Sequence, residues 1–232
     1  KKDLVEVDRD KVAVQLETHI GYFINLMNIM GFENGLIAMA TEPAEVKNFL
    51  EYMAEFFEEC TRKGLEHYKP DLYRITDDIC SAQGPFMSLN MYRDLIKPLQ
   101  KRLADICAEY GVPVEMHCCG KAEMFLDDWV EIGVISWNPA QTMNDLPAIK
   151  AKHGKSLVLN GCWDSQGPVS WPGATEETVK SEVRKCIDAY APGGGFIFGG
   201  LVYADKDDRD MQNKQRWINE EYDSYGRPFY KK

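Results

Sequence analysis

The feature that most constrains this chain is a repeated alternation of short apolar runs with longer amphipathic segments. Runs of β type fall at 12–16 (VAVQL), 72–76 (LYRIT), 112–116 (VPVEM), 134–137 (VISW), 157–160 (LVLN) and 196–198 (FIF). Each is bounded by Gly, Pro, Asp or Asn, residues that end strands. Between them, segments of helical period cover 43–67, 89–110, 121–132, 146–153 and 176–190, the first opening on Pro43, a residue suited to a first helical turn. Strand-then-helix order with crossovers this long predicts a parallel sheet covered by helices and excludes an antiparallel sandwich. No linker or charge shift divides residues 1–232, so the sequence reads as one domain. The glycine-rich APGGG at 191–195 reads as a helix end and tight turn, because no phosphate-cradle pattern follows it. The polar tail from Asp205, with a helical stretch at 211–222, is expected to cap the fold.

Charge narrows the partners. With 27 Lys+Arg against 37 Asp+Glu the formal net charge is −10, which argues against a nucleic-acid surface. Cysteines at 60, 80, 107, 118, 119, 162 and 186 are odd in number and scattered, the pattern of free thiols in a reducing compartment. No apolar run approaches a membrane span, and the charged opening KKDLVEVDRDK lacks the apolar core of a signal peptide. A cytoplasmic location without membrane contact is expected.

In parallel α/β folds ligands bind beyond the carboxyl ends of strands. Those positions hold Glu17 and His19; Asp77, Asp78 and Gln83; His117, Cys118, Cys119 and Gly120; Asn138 and Gln141; Cys162, Trp163 and Asp164; and Tyr203 and Asp205. His117 and Cys119 are two apart, so they point to one side of a strand end, and imidazole with thiolate suits zinc. Cys162, ending another strand, is the candidate third ligand, and Glu17, Asp77, Asp78 or Asp164 a fourth. Asp77 and Asp78 point to opposite faces, so one is expected at the site while the other caps a turn or helix. Asp77, Asp78 and Tyr203 are the candidate catalytic acids; His19, Gln83, Asn138, Gln141 and Trp163 the candidate substrate contacts. Tyr22, Phe23, Phe86, Trp137, Trp163 and Tyr203 suit an apolar pocket or a core stripe alike. His67 and His153 are expected at the surface.

Taken in order, residues 77–98 (DDICSAQGPFMSLNMYRDLIKP), 112–134 (VPVEMHCCGKAEMFLDDWVEIGV), 137–164 (WNPAQTMNDLPAIKAKHGKSLVLNGCWD) and 192–200 (PGGGFIFGG) resemble the uroporphyrinogen decarboxylase superfamily. The resemblance implies a (β/α)8 TIM barrel, with the six runs as its last six βα units and the first two absent, so that a separate N-terminal segment or a homodimer partner would complete it. The corrinoid-dependent methyltransferase branch carries a zinc-binding His-x-Cys, which His117 and Cys119 match, and a later Cys, for which Cys162 is a displaced substitute. That branch implies zinc, a corrinoid protein as partner, and a small methoxy- or methylamine-type substrate. The decarboxylase branch is metal-free and uses an N-terminal arginine motif that this chain lacks. Decarboxylation and a non-catalytic binding role stand as alternatives.

Overall fold

The computed structural model describes residues 7–203 and 205–229. Residues 1–6 of the charged opening and 230–232 of the tail lie outside the described residues. Six strands, β1 (Gln15–Glu17), β2 (Leu72–Thr76), β3 (Val114–His117), β4 (Val134–Ala140), β5 (Val158–Gly161) and β6 (Phe196–Phe198), alternate with helices. The chain forms two compact units that meet in sequence between Asn138 and Pro139, inside β4. A boundary inside a strand brings neither a linker nor a shift in composition.

In the first unit β1 to β4 pair in parallel in chain order. Period-two alternation gives this sheet two unlike faces. Tyr73, Ile75, Val114, Met116 and Trp137 are buried in an apolar layer. The other face carries a register row of Glu17, Arg74, Glu115 and Ser136, followed by a row of Thr76, His117 and Asn138. Glu115 is fully buried. Its carboxylate accepts from Arg74 Nε (2.8 Å), Gln15 Nε2 (2.8 Å) and Ser136 Oγ (2.6 Å). Those donors replace the water lost on burial, without which a buried carboxylate is costly. Arg74 also reaches Glu17 at 3.1 Å. Burial raises the Glu17 carboxyl, but the Thr76 hydroxyl and Arg74 outweigh it and hold it below the ordinary value.

Three helices line the way from β1 to β2: α1 (Tyr22–Met30), α2 (Phe32–Thr41) and α3 (Pro43–Tyr68). Only α3 was expected. Its Val46, Leu50, Met53, Ala54, Phe57, Thr61 and Leu65 recur at helical spacing and are buried. The expected helix over 89–110 is two, α4 (Leu89–Leu95) and α5 (Lys97–Glu109). Pro98 explains the break, since it has no N–H and its ring crowds the carbonyl four residues back. Similarly, 121–132 divides into one 3₁₀ turn, Glu123–Phe125, and α6 (Leu126–Glu131). The first strand begins later than its apolar run suggests, because the Val14 N–H is taken by the Asp71 carboxylate at 2.7 Å rather than by a ladder.

The second unit holds the end of β4, β5 paired in parallel with β6, and helices α7 (Leu146–His153), α8 (Glu176–Tyr190), α9 (Arg209–Glu221) and the short α10 (Arg227–Phe229). The turn at 191–195 joins α8 to β6, as expected, and Lys150 Nζ donates to Gly194 O at 2.6 Å. The tail packs on α8 through α9. Lys214, fully buried, donates to Trp171 O at 2.8 Å and pairs with Asp210 at 2.7 Å. His153 is a correction: it is buried, whereas His67 is exposed.

Helix α1 has no capping side chain of its own. Instead the carboxylate of Asp77, fully buried after β2, accepts the N–H groups of Tyr22 (3.1 Å), Phe23 (3.2 Å) and Ile24 (3.1 Å). Burial pushes this carboxyl up to about 6, against the pull of those three N–H groups and Gln100. Gly21 makes the approach possible, since a Cβ there would lie 2.3 Å from Thr76 O and 2.6 Å from Asp77 Oδ1. Asp77→Ala strands three N–H donors, those of Tyr22 and Phe23 buried, and is expected to lower unfolding free energy by about 2–3 kcal/mol. Urea denaturation followed by circular dichroism measures it; a midpoint equal to wild type would refute the cap.

Candidate metal centre

The site is built where β2 and β3 end. Beyond Thr76 the two aspartates diverge. Asp77 is engaged with α1, a helix that precedes it in the chain, and with Gln100 Nε2 at 3.3 Å. Asp78 turns the other way, and its Oδ1 accepts the Cys119 N–H at 2.7 Å. At the end of β3, His117 and Cys119 share the side that their spacing implies. Cys119 Sγ lies 3.7 Å from His117 Nε2, and Asp78 Oδ1 lies 3.9 Å from the same nitrogen. One ligand atom from each of the three residues falls within 4.8 Å of the others. Among the described residues this is the group of His, Cys, Asp and Glu side chains that converges closely enough to hold a metal ion.

His117 is oriented from behind. Its Nδ1 lies 2.8 Å from Asn138 Oδ1, its register partner on β4. A carbonyl oxygen only accepts, so Nδ1 carries the proton and Nε2 turns its lone pair to the cluster. Ligating histidines are typically held by such a bond. Burial, and then the Asp78 carboxylate, push the Cys119 thiol up to about 11. A cation bound among the three atoms would reverse that preference, since metal ligation deprotonates thiols. Cys118 points to the opposite side, fully buried, its thiol pushed well up by burial and by its neighbour Cys80. The donor set of one imidazole, one thiol and one carboxylate suits zinc with a fourth position open.

Backbone contacts brace the cluster. The loop after Asp78 folds back so that Phe86 N–H bonds Ile79 O at 3.0 Å, and Lys121 N–H bonds Ser81 O at 2.8 Å. Gly120 permits this: its φ is +94°, and a Cβ would lie 2.5 Å from Ser81 O.

Other sequence candidates fall elsewhere. His19 is exposed, with a left-handed φ of 48° and Nε2 at 3.7 Å from Glu17 Oε1. Gln83 is exposed at the tip of the loop beside Ser81. Tyr22, Phe23 and Trp137 are buried core, Trp137 donating to Cys118 O at 3.1 Å, while Phe86 is half-buried against Phe23. Gln141, Cys162, Trp163, Asp164 and Tyr203 belong to the second unit. There the Gln141 carbonyl accepts the Asn144 N–H at 3.2 Å. Cys162 is buried with φ 55°, its thiol is pushed up to about 12 by burial, and its carbonyl accepts from Cys186 Sγ at 3.2 Å. Cys162, Trp163, Asp164, Cys186 and Tyr190 line a small cavity of about 200 Å³. Trp163 donates to Leu201 O at 2.9 Å, and Tyr203 is exposed. Sequence reading did not single out Arg74 and Glu115. Their alternation with apolar neighbours in LYRIT and VPVEM was the available sign.

No helix among the described residues is long and apolar enough to cross a membrane. No curated protein matches the chain by sequence. A solved structure, a methyltransferase from Methanosarcina mazei, superposes with a TM-score of 0.71 at 15% identity, covering 94% of this chain and 61% of its own. This chain therefore spans less than two thirds of that neighbour's length, and the likeness is one of fold: α/β, with parallel strands and alternating helices, matching part of a TIM barrel. The family model for uroporphyrinogen decarboxylase matches residues 19–200. That match takes in the aspartate pair, the His-x-Cys strand end and the glycine-rich turn before β6, and the chain belongs to the uroporphyrinogen decarboxylase family.

Proposed function

We propose that the chain activates the substrate in a methyltransferase that moves a methyl group from a small methylated compound, of methoxy or methylamine type, to a corrinoid protein. The observation that carries the reading is the convergence of Asp78 Oδ1, His117 Nε2 and Cys119 Sγ within 4.8 Å. Asp78, His117 and Cys119 would hold a zinc ion, which would supply Lewis acidity to the oxygen or nitrogen that gives up its methyl group. Asn138 holds the imidazole in the tautomer that ligates, and the Cys119 N–H holds Asp78 against rotation. Asp77, with its carboxylate committed to α1, acts as a positioning residue for the Asp78 loop rather than as an acid.

Purified protein supplied with zinc is expected to hold about one equivalent, lost in His117→Ala and Cys119→Ala and kept in Cys118→Ala. Elemental analysis of gel-filtered samples measures it. Asn138→Leu leaves the ligands in place but frees the ring, so zinc affinity is expected to fall about ten- to a hundredfold. Incubation with cob(I)alamin and a panel of methoxylated compounds and methylamines should produce the absorbance of methylcobalamin. A metal-free protein that instead consumes a porphyrinogen would establish decarboxylation in its place.

A further inference from the structure

Just beyond β1, His19 has a left-handed φ of 48°. A residue with a side chain keeps such a conformation where the structure on either side fixes it. Both sides of His19 are fixed, and both against Thr76. Before it, Glu17 Oε1 accepts the Thr76 hydroxyl at 2.7 Å. After it, Gly21 lies so close to Thr76 O that a Cβ would stand 2.3 Å away. His19 is thus carried between two contacts to the last residue of β2, two positions before Asp78.

The imidazole lies on the polar face of the sheet. Thr18 takes the opposite face, its hydroxyl 2.8 Å from that of buried Tyr73. His19 Nε2 comes back to 3.7 Å from Glu17 Oε1, at the end of the polar row. Burial raises the Glu17 carboxyl, but Thr76 and Arg74 keep it below its ordinary value, so it stays charged and is the counter-charge for an imidazolium. Thr76 is the register partner of His117, and β1 and β3 flank β2. The backbones of His19 and His117 therefore stand two strand spacings apart, roughly 10 Å, with the short Thr76 side chain between them. The His19 side chain is 78% exposed, and with Nε2 turned to Glu17 its Nδ1 is open to a ligand.

We propose that His19 is the proton donor of the site, protonating the oxygen of a methoxy donor as its methyl group departs, with Glu17 as the positioning residue behind it. This rests on the methyltransferase reading above and narrows the donor to an ether. The C–O bond breaks with its electron pair staying on oxygen. The electron pair of the partner's Co(I) corrinoid forms the new bond to the methyl carbon, and the Nδ1 proton of His19 passes to the oxygen, so that an alcohol or phenol leaves. The neutral ring regains its proton from solvent, to which it is open. Imidazole suits the task because it gives and takes protons near neutrality. A quaternary ammonium donor, by contrast, loses a neutral amine and needs no proton, so a proton donor here serves oxygen donors alone.

The test follows methylation of cob(I)alamin by the zinc-supplied full chain, with anisole, 4-nitroanisole and tetramethylammonium as donors. Asparagine accepts the left-handed conformation, so His19→Asn keeps the turn while removing the proton donor. 4-Nitrophenoxide is a much weaker base than phenoxide and needs the proton less. His19→Asn is therefore expected to slow kcat about a hundredfold with anisole and about threefold with 4-nitroanisole. Glu17→Gln should separate the two donors in the same sense by a smaller factor. Zinc content and thermal unfolding of His19→Asn should match wild type, and loss of the zinc equivalent would make His19 structural and overturn the proposal. Equal slowing with both ethers, no slowing with either, or wild-type transfer confined to 4-nitroanisole or tetramethylammonium overturns the proton donor and leaves methyl transfer standing. A wild-type chain that methylates cob(I)alamin from none of the three overturns the methyl-transfer reading and the proton step with it.

Discussion

The buried carboxylate of Asp77 is the contact on which the first unit's architecture turns. A helix N-terminus leaves its first N–H groups without partners. In α1 three of them converge on one side chain from the end of a neighbouring strand. The same bond set decides where Phe23 sits, how the chain leaves β2, and to which side Asp78 is turned. Removing the charge from water is unfavourable, and the position is tolerated because donors enclose it.

From this anchor the candidate centre follows in steps. Asp78 takes the outward side because Asp77 takes the inward one. The Cys119 N–H completes the carboxylate's hold, and β-strand alternation brings His117 and Cys119 to the same side while sending Cys118 into the apolar layer. The two adjacent thiols thereby acquire different surroundings from one register. One is half-buried among polar neighbours, and the other is sealed against Cys80.

Much of this was legible in the chain where period alone decides. The strands at 72–76 and 196–198 and the helices at 146–153 and 176–190 appear with the bounds that their patterns imply. The pairing of His117 with Cys119 on one side follows from the same period-two rule. What was not legible depends on partners distant in sequence. In residues 22–41 apolar side chains such as Ile29, Phe32 and Ile37 fall on the exposed side as well, which blurs the helical face, and α1 starts where it does because of an aspartate some 55 residues later. Asn138 appears in sequence as a polar residue after a strand, and its role behind His117 comes only from the register of β3 against β4. The break before Pro98 was open to view, but the amphipathic pattern on either side of it obscured the stop.

The row of Glu17, Arg74, Glu115 and Ser136 bears on how such a chain can change over generations. Glu115 shares its oxygens among Arg74, Gln15 and Ser136, so replacing Arg74 removes the charge that balances a buried carboxylate, while replacing the carboxylate leaves the Arg74 guanidinium with Glu17 as its acidic partner. Single substitutions are therefore penalised where a concerted exchange for apolar residues would be tolerated. The row is therefore expected to change as a set across strands β1 to β4 rather than one residue at a time.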